Sequence, residues 1–366
     1  MKSKIKNIAV TVVFAVVIFG LSVSFILKPA GEFSVSERRA LLQFPVVSIE
    51  NIMSGKFMTD FESYTLDQFP LRDGFRTIKA LFAANIFRHK DNNDIYVEDG
   101  IAAQIEYPLN NSSIENAAKK FNNIKDKYLN ESNSIYLSLI PDKNYFLAPT
   151  SGRLSLDYKA LVSQLCEEMK GEEYIDIFEL LNINDYYKTD THWKQENLLD
   201  TAEKLLEEMG TTADFDGLKE NTLDVPFHGV YYGQSALPLD TEEIKYYTSD
   251  IIDSFEVYDY QNDKPMSVYD MEKAQGKDPY EMFLSGSLSL ITIDNPNAKT
   301  DKELVLFRDS FGSSIAPLLA CGYSKVTVVD IRYVQSAILG RFINFENADV
   351  LFLYSTLVLN NSETLK

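Results

Sequence analysis

Three side chains in this sequence could together activate a hydroxyl. Asp190 and His192 stand two positions apart in Asp190-Thr191-His192-Trp193, and Ser310 lies in Arg308-Asp309-Ser310-Phe311-Gly312. A serine is a weak nucleophile until a base takes its proton, and the base needs an acceptor on its second nitrogen to hold it in place. Asp190 could hold the Nδ1–H of His192 and leave Nε2 to face Ser310. Their separation along the chain is no obstacle, since such triads are defined in space rather than in order. The chain has three histidines, so an imidazole base has a short list. His89, in Arg88-His89-Lys90, reads as part of a solvated basic turn, and His228, in an aromatic loop, reads as a packing residue. The plainer reading is that Asp309 or Ser310 caps one helix and Asp190 or Thr191 another, with His192 a first-turn surface residue.

These residues need elements to hold them. Leu304-Val305-Leu306-Phe307 is a short, uninterrupted, β-prone run that predicts a buried strand. Ile315, Leu318 and Leu319 predict a helix after it, beginning near Ser314 so that Pro317 falls in the first turn, with Gly322 as the C-cap glycine. A serine at such a strand-to-helix turn lies at the carboxyl edge of a sheet, where α/β folds place their chemistry. It also lies beside free N–H groups, its own included, that can stabilise an oxyanion. Upstream, Ser112 with Glu115 has capping-box spacing before a helix to about Tyr128. Strands are expected at Asp94–Val97, Ile135–Ile140, Tyr174–Phe178, Leu288–Ile293, Val326–Val329 and Val350–Leu353, with helices over Leu156–Gly171 and from Leu198 to Gly210. Residues 213–278 read as an irregular, acidic insertion or lid. Strands alternating with helices imply a mainly parallel sheet covered on both faces.

At 366 residues, with 45% hydrophobic and 12% aromatic side chains, the chain can bury a sizeable core. A net charge of −19 argues against a nucleic-acid partner, which would need a basic footprint. Cys166 and Cys321 follow no metal spacing and read as buried free thiols, with a disulfide the alternative outside the cytoplasm. No metal cluster or nucleotide fingerprint is present, so neither metal nor cofactor is expected. Lys2, Lys4 and Lys6 precede an uncharged stretch from Ile8 to Leu27 that is long enough to cross a bilayer. The basic flank predicts a cytoplasmic N-terminus, and no small-residue cleavage pattern follows. The reading is an uncleaved, single-pass signal anchor over residues 1–30 of the cytoplasmic membrane, a membrane-proximal helical segment over 31–90 and an extracytoplasmic α/β domain over 91–366. Phe57, Phe61, Tyr64 and Phe69 suggest a helix of the middle segment packing on the main domain.

Tyr187-Lys188-Thr189-Asp190-Thr191-His192-Trp193 resembles the signature of the DHHW family, relatives of the alginate O-acetyltransferases in the SGNH-hydrolase-like group. Phe61–Arg72, Pro141-Asp142-Lys143, Tyr280–Leu284, Lys302–Leu319 and Val328–Tyr333 extend the likeness over nearly all of the chain after the anchor. Thr191 stands where the family name has its first histidine, and Ser313 and Gly286-Ser287 stand where members carry asparagine. The resemblance implies a three-layer SGNH-hydrolase-like domain with permuted triad order: Ser310 the nucleophile, His192 the base, Asp190 its orienter. Gly312, Lys143, Arg332 and Tyr354 are the candidates for oxyanion or substrate contacts, an ion pair of Arg332 with Asp330 or Asp309 being the alternative. The implied activity is O-acetylation of a cell-envelope or secreted polysaccharide, with a membrane-bound O-acyltransferase partner as acyl donor. A carbohydrate esterase, or a non-catalytic polysaccharide-binding or assembly protein, are the competing expectations.

Overall fold

Strict alternation along the central strands decides the architecture. Leu304 and Leu306 point to one face of a sheet while Val305 and Phe307 point to the other, and Leu351/Leu353 and Val350/Phe352 divide in the same way. Both sets are apolar, so both faces must be covered, and helices cover them. The computed structural model describes residues 2–87 and 91–366; His89 lies outside the described residues.

The eight-stranded sheet runs β4-β3-β5-β7-β6-β8-β1-β2 in space. Its strands are β1 Ile135–Ile140, β2 Glu173–Tyr174, β3 Glu256–Asp259, β4 Lys264–Met266, β5 Leu290–Asp294, β6 Glu303–Arg308, β7 Lys325–Val329 and β8 Asp349–Ser355. From β7 to β2 all neighbours are parallel. Strands β5, β3 and β4 extend the sheet antiparallel on the other side. Helices also precede the sheet: α1 Lys2–Leu27, α2 Lys56–Asp67 and α3 Arg72–Asn85. Those that matter for the sheet are α4 Asn111–Tyr128, α5 Lys143–Ser151, α6 Tyr158–Met169, α7 Leu199–Glu208 and α8 Gly312–Ala320. α4 and α6 supply the core on the Val305/Phe307 face, and α7 and α8 supply it on the Leu304/Leu306 face. The three-layer α/β reading agrees with this arrangement.

Several local expectations are corrected. Residues 213–278 are partly ordered: they hold an antiparallel strand pair, Lys219–Thr222 with Lys245–Thr248, and the two strands β3 and β4 of the main sheet. The strand expected at Asp94–Val97 forms instead at Ile95–Glu98, where it pairs with Ile101–Gln104 in a hairpin outside the main sheet. Asn110 rather than Ser112 caps α4, its side chain accepting from the Ser113 N–H. α8 begins at Gly312, two residues earlier than expected, which carries Pro317 into its second turn. Gly322 keeps an ordinary φ; a Cβ there would meet Leu206 Cδ2 at 2.7 Å, so it is the close packing of α7 that suits a glycine. Cys166 and Cys321 are separate free thiols, and burial pushes Cys321 up to about 12.

The described residues fall into two compact units. One comprises residues up to 93 together with Tyr232–Pro238, and the other comprises Asp94–Tyr231 and Leu239–Lys366. In the first, Phe57, Phe61 and Tyr64, expected to pack on the main domain, ring Phe44 at centroid distances of 6.3, 5.9 and 5.5 Å.

Candidate active site

The carboxyl ends of four neighbouring parallel strands converge on one edge of the sheet. β1 leads into Pro141-Asp142-Lys143, β6 into Asp309-Ser310, β7 into Asp330 and β8 into Thr356. At the β6 end, Asp309 ties down the turn. Its Oδ1 accepts from the Phe311 N–H (3.0 Å) and its Oδ2 from the Ser355 N–H (2.8 Å), joining β6 to β8. Asp309 therefore braces the turn, no side chain caps α8, and the Ser310 side chain is left for other work.

Asp190 and His192 sit in a tight loop rather than at the mouth of a helix. A bridge between Tyr186 and Trp193 closes it, and the Tyr187 N–H donates to the His192 carbonyl (3.1 Å). The loop is clamped from several sides. Lys143 Nζ donates to the carbonyls of Tyr187 (2.7 Å), Lys188 (3.1 Å) and Asp190 (2.8 Å). The Ala102 N–H of the small hairpin donates to the Lys188 carbonyl (2.8 Å). Trp193 Nε1–H reaches the Phe311 carbonyl and Ser314 Oγ, both at 3.0 Å, which fastens the loop to the start of α8.

The three residues meet. Ser310 Oγ lies 2.8 Å from His192 Nε2, and His192 Nδ1 lies 2.6 Å from Asp190 Oδ1. An ionised carboxylate only accepts, so Nδ1 carries the proton and Nε2 is left to accept from the Ser310 hydroxyl. Asp190 is fully buried. Its Oδ1 also accepts from the His192 N–H (3.1 Å) and its Oδ2 from the Val230 N–H (2.8 Å). The second bond comes from a loop pressed close: a Cβ on Gly229 would lie 2.2 Å from the Asp190 Cβ. Under the imidazole lies Tyr280, ring centroids 3.9 Å apart and planes 8° from parallel, with its hydroxyl on Ser314 Oγ (3.0 Å). The Ser310 N–H has no acceptor among the described residues, whereas the neighbouring amides of Phe311 and Gly312 are engaged by Asp309. An oxyanion forming on a carbonyl attacked by Ser310 would find that free donor.

No family model matches the sequence, and no curated protein matches it either. Solved structures do. A DHHW family protein from Eubacterium siraeum aligns with a TM-score of 0.61 at 20% identity, over 75% of this chain and 95% of its own. The chain has the fold of that DHHW family protein. Bacillus cereus PatB1 carrying a sulfonyl adduct aligns with a TM-score of 0.58 at 18% identity, over 72% of this chain and 97% of its own. The O-acetyltransferase domain of Pseudomonas putida AlgJ aligns at 0.44 and 10% identity, over 73% of this chain and 92% of its own.

Within this DHHW-type fold the four expected oxyanion or substrate contacts are placed elsewhere. Gly312 spends its N–H on the Asp309 carbonyl (3.1 Å), and a Cβ on it would meet the Arg308 Cβ at 2.5 Å, so it makes room for a buried arginine. Lys143 is buried, all three of its donors used on the loop. Burial pulls its pKa down to about 7, against the opposing pull of Asp190. Arg332 is bidentate to Asp330 through Nε (2.9 Å) and Nη2 (2.7 Å), so the ion-pair alternative describes it. Tyr354 alternates to the α4 face, where its ring packs on Phe121 at 5.0 Å. Sequence reasoning missed the roles of Lys143, Tyr280 and the 229–230 loop. The first two lay in stretches already singled out, and the third was marked only by a glycine among aromatics.

Proposed function

We propose that the chain is a membrane-anchored, extracytoplasmic serine O-acyltransferase that transfers an acetyl group, through acyl-Ser310, to hydroxyls of a cell-envelope or secreted polysaccharide. The observation that carries the reading is the unbroken relay from the Ser310 hydroxyl through His192 to buried Asp190. The substrate class rests on the resemblance of residues 187–193 to the DHHW and alginate O-acetyltransferase signature. The anchor rests on α1: Lys4–Leu27 reaches a mean hydropathy of 2.7 and is not packed as a core helix, with lysines on its N-terminal side.

In this reading Ser310 Oγ attacks the acyl carbonyl of a donor ester while His192 Nε2 takes the hydroxyl proton. The Ser310 N–H steadies the oxyanion, and His192 returns the proton to the departing alkoxide, leaving the Ser310 ester. An acceptor hydroxyl then gives its proton to His192 and attacks that ester, which frees Ser310. Asp190 holds the ring and balances its charge at both stages. A membrane-bound O-acyltransferase is the partner that would supply the acyl group.

The test is mass analysis of an oligosaccharide acceptor incubated with the full-length protein and an acetyl ester donor. Acetylated sugar is expected, and Ser310→Ala should lower its formation by on the order of a thousandfold or more. Released acetate without acetylated sugar would replace the reading by an esterase. A folded wild-type chain inert in both would overturn it.

A further inference from the structure

The first compact unit holds a partly buried cluster of paired charges. Arg39 is bidentate to Asp67 (2.8 and 2.6 Å), whose Oδ2 also accepts from the Leu42 N–H (3.0 Å). Glu37 pairs with Arg72 and with Arg76 (3.3 Å), and Arg76 donates to the Gly233 carbonyl (2.7 Å). Many of its apolar side chains are left outside. On α3 and its flanks, Leu71, Phe75, Ile78, Phe82 and Ile86 recur at three- and four-residue spacing, one stripe of a helix, and they are 75, 46, 53, 50 and 61% exposed. Earlier in the chain Val46, Val47 and Ile49, at the start of the short helix Ile49–Met53, are 75, 63 and 83% exposed. Isolated exposed apolar side chains need no explanation, but a continuous stripe marks a surface that something covers.

What covers it is indicated by α1. Phe25 of that helix stacks edge-on against Tyr64 of α2 at 5.9 Å, and Val17, Leu21 and Phe25 share an apolar groove with Leu66 and Phe69. The exposed apolar surface of this unit is therefore continuous with the helix assigned to the bilayer. Between Lys28 and Phe87 seven basic residues face seven acidic ones, in a chain of net charge −19, so this stretch carries no net charge to repel an anionic leaflet.

We propose that residues 42–87 form an in-plane membrane platform, with the apolar stripe of α3 and the 46–49 segment seated among the lipid acyl chains at the outer boundary of the bilayer. The inference rests on α1 being a membrane anchor. The platform would hold the chain at the surface by a second contact beyond its single span.

Tryptophan quenching by brominated lipid tests it, on the full-length protein in phosphatidylcholine vesicles. The wild type, with Trp193 as its one tryptophan, supplies the background. Phe82→Trp is expected to emit at shorter wavelength and to lose most of its added emission to lipids brominated near the headgroup end of the chain. Val17→Trp should be quenched best by bromines deep in the chain. If Val17→Trp is quenched while neither Phe82→Trp nor Ile78→Trp is, the platform is wrong and the anchor stands. If Val17→Trp is not quenched, the anchor falls and the platform with it. Unquenched Phe82→Trp whose emission instead depends on protein concentration would give the stripe to a second copy, again overturning the platform.

Discussion

The ring of Tyr280 lies flat against the imidazole of His192, 3.9 Å between centroids, so the base is held from below as well as through both nitrogens. The tyrosine hydroxyl is tied to Ser314 Oγ, and burial pushes its pKa up, which keeps it a neutral donor. Tyr280→Ala frees the imidazole to swing and should lower kcat by about ten- to a hundredfold with KM little changed. Tyr280→Phe keeps the stack and should stay within about fivefold of the wild type, the worth of one hydrogen bond. Steady-state kinetics on the two variants separates ring contact from hydroxyl.

Gly229 is the position whose side chain would strike Asp190. Since a Cβ there would come within 2.2 Å of the Asp190 Cβ and 2.3 Å of its Cα, Gly229→Ala must displace either the carboxylate or the loop that donates to it. A shift of the orienter by an ångström should cost about a hundredfold in kcat. Circular dichroism should show the sheet retained, and an unaffected kcat would refute the arrangement.

Lys143 is a clamp, and its removal should register as lost stability. Lys143→Met would leave the Tyr187 and Asp190 carbonyls without the donor they now have, while Lys188 keeps the Ala102 amide. The expected loss is about 2–4 kcal/mol in urea unfolding. Lys143→Arg should not rescue it, because a planar fork cannot converge on three carbonyls as a tetrahedral ammonium does.

Asp142 carries a pH signature. Burial raises its pKa to about 6, although Thr356, Tyr158 and the Asn144 amide all donate to it. In the unfolded chain it should titrate near the ordinary value of about 3.9. The folded state thus holds a proton that the unfolded state has released between those values, and the slope of stability with pH is negative there. Its stabilising contribution is fully present below about pH 4 and is lost as pH rises through 6. Denaturation of wild type and Asp142→Asn across this window should show the decline in the former and its absence in the latter.

How much of this was legible in the sequence varied with the kind of force involved. The strand at Ile135–Ile140 was read residue for residue, because a buried parallel strand is an unbroken apolar run. Within 213–278 the strands β3 and β4 are hard to read because they are short, Glu-Val-Tyr-Asp and Lys-Pro-Met, and neither carries an apolar run or a clear alternation. Pro317 argued for a later start to α8, but that start is set by Asp309, which folds the turn and commits Gly312 to the first helical position. Asp190, His192 and Ser310 were found from residue chemistry and from a family resemblance. Lys143 and Arg332 read as substrate contacts from the sequence because a charged side chain at a strand end invites that reading. Which partner neutralises a buried charge depends on contacts distant in sequence, and these are settled only in three dimensions.

Burial divides the relay unevenly. Asp190 is sealed from solvent while Ser310 is half-buried at the rim, so reagents would meet the same machinery very differently. A water-soluble carbodiimide should pass the carboxylate by, whereas a sulfonyl fluoride, which needs an activated hydroxyl, should capture the serine. Stoichiometric labelling of the intact protein would then count competent molecules in a preparation without any knowledge of the natural acceptor.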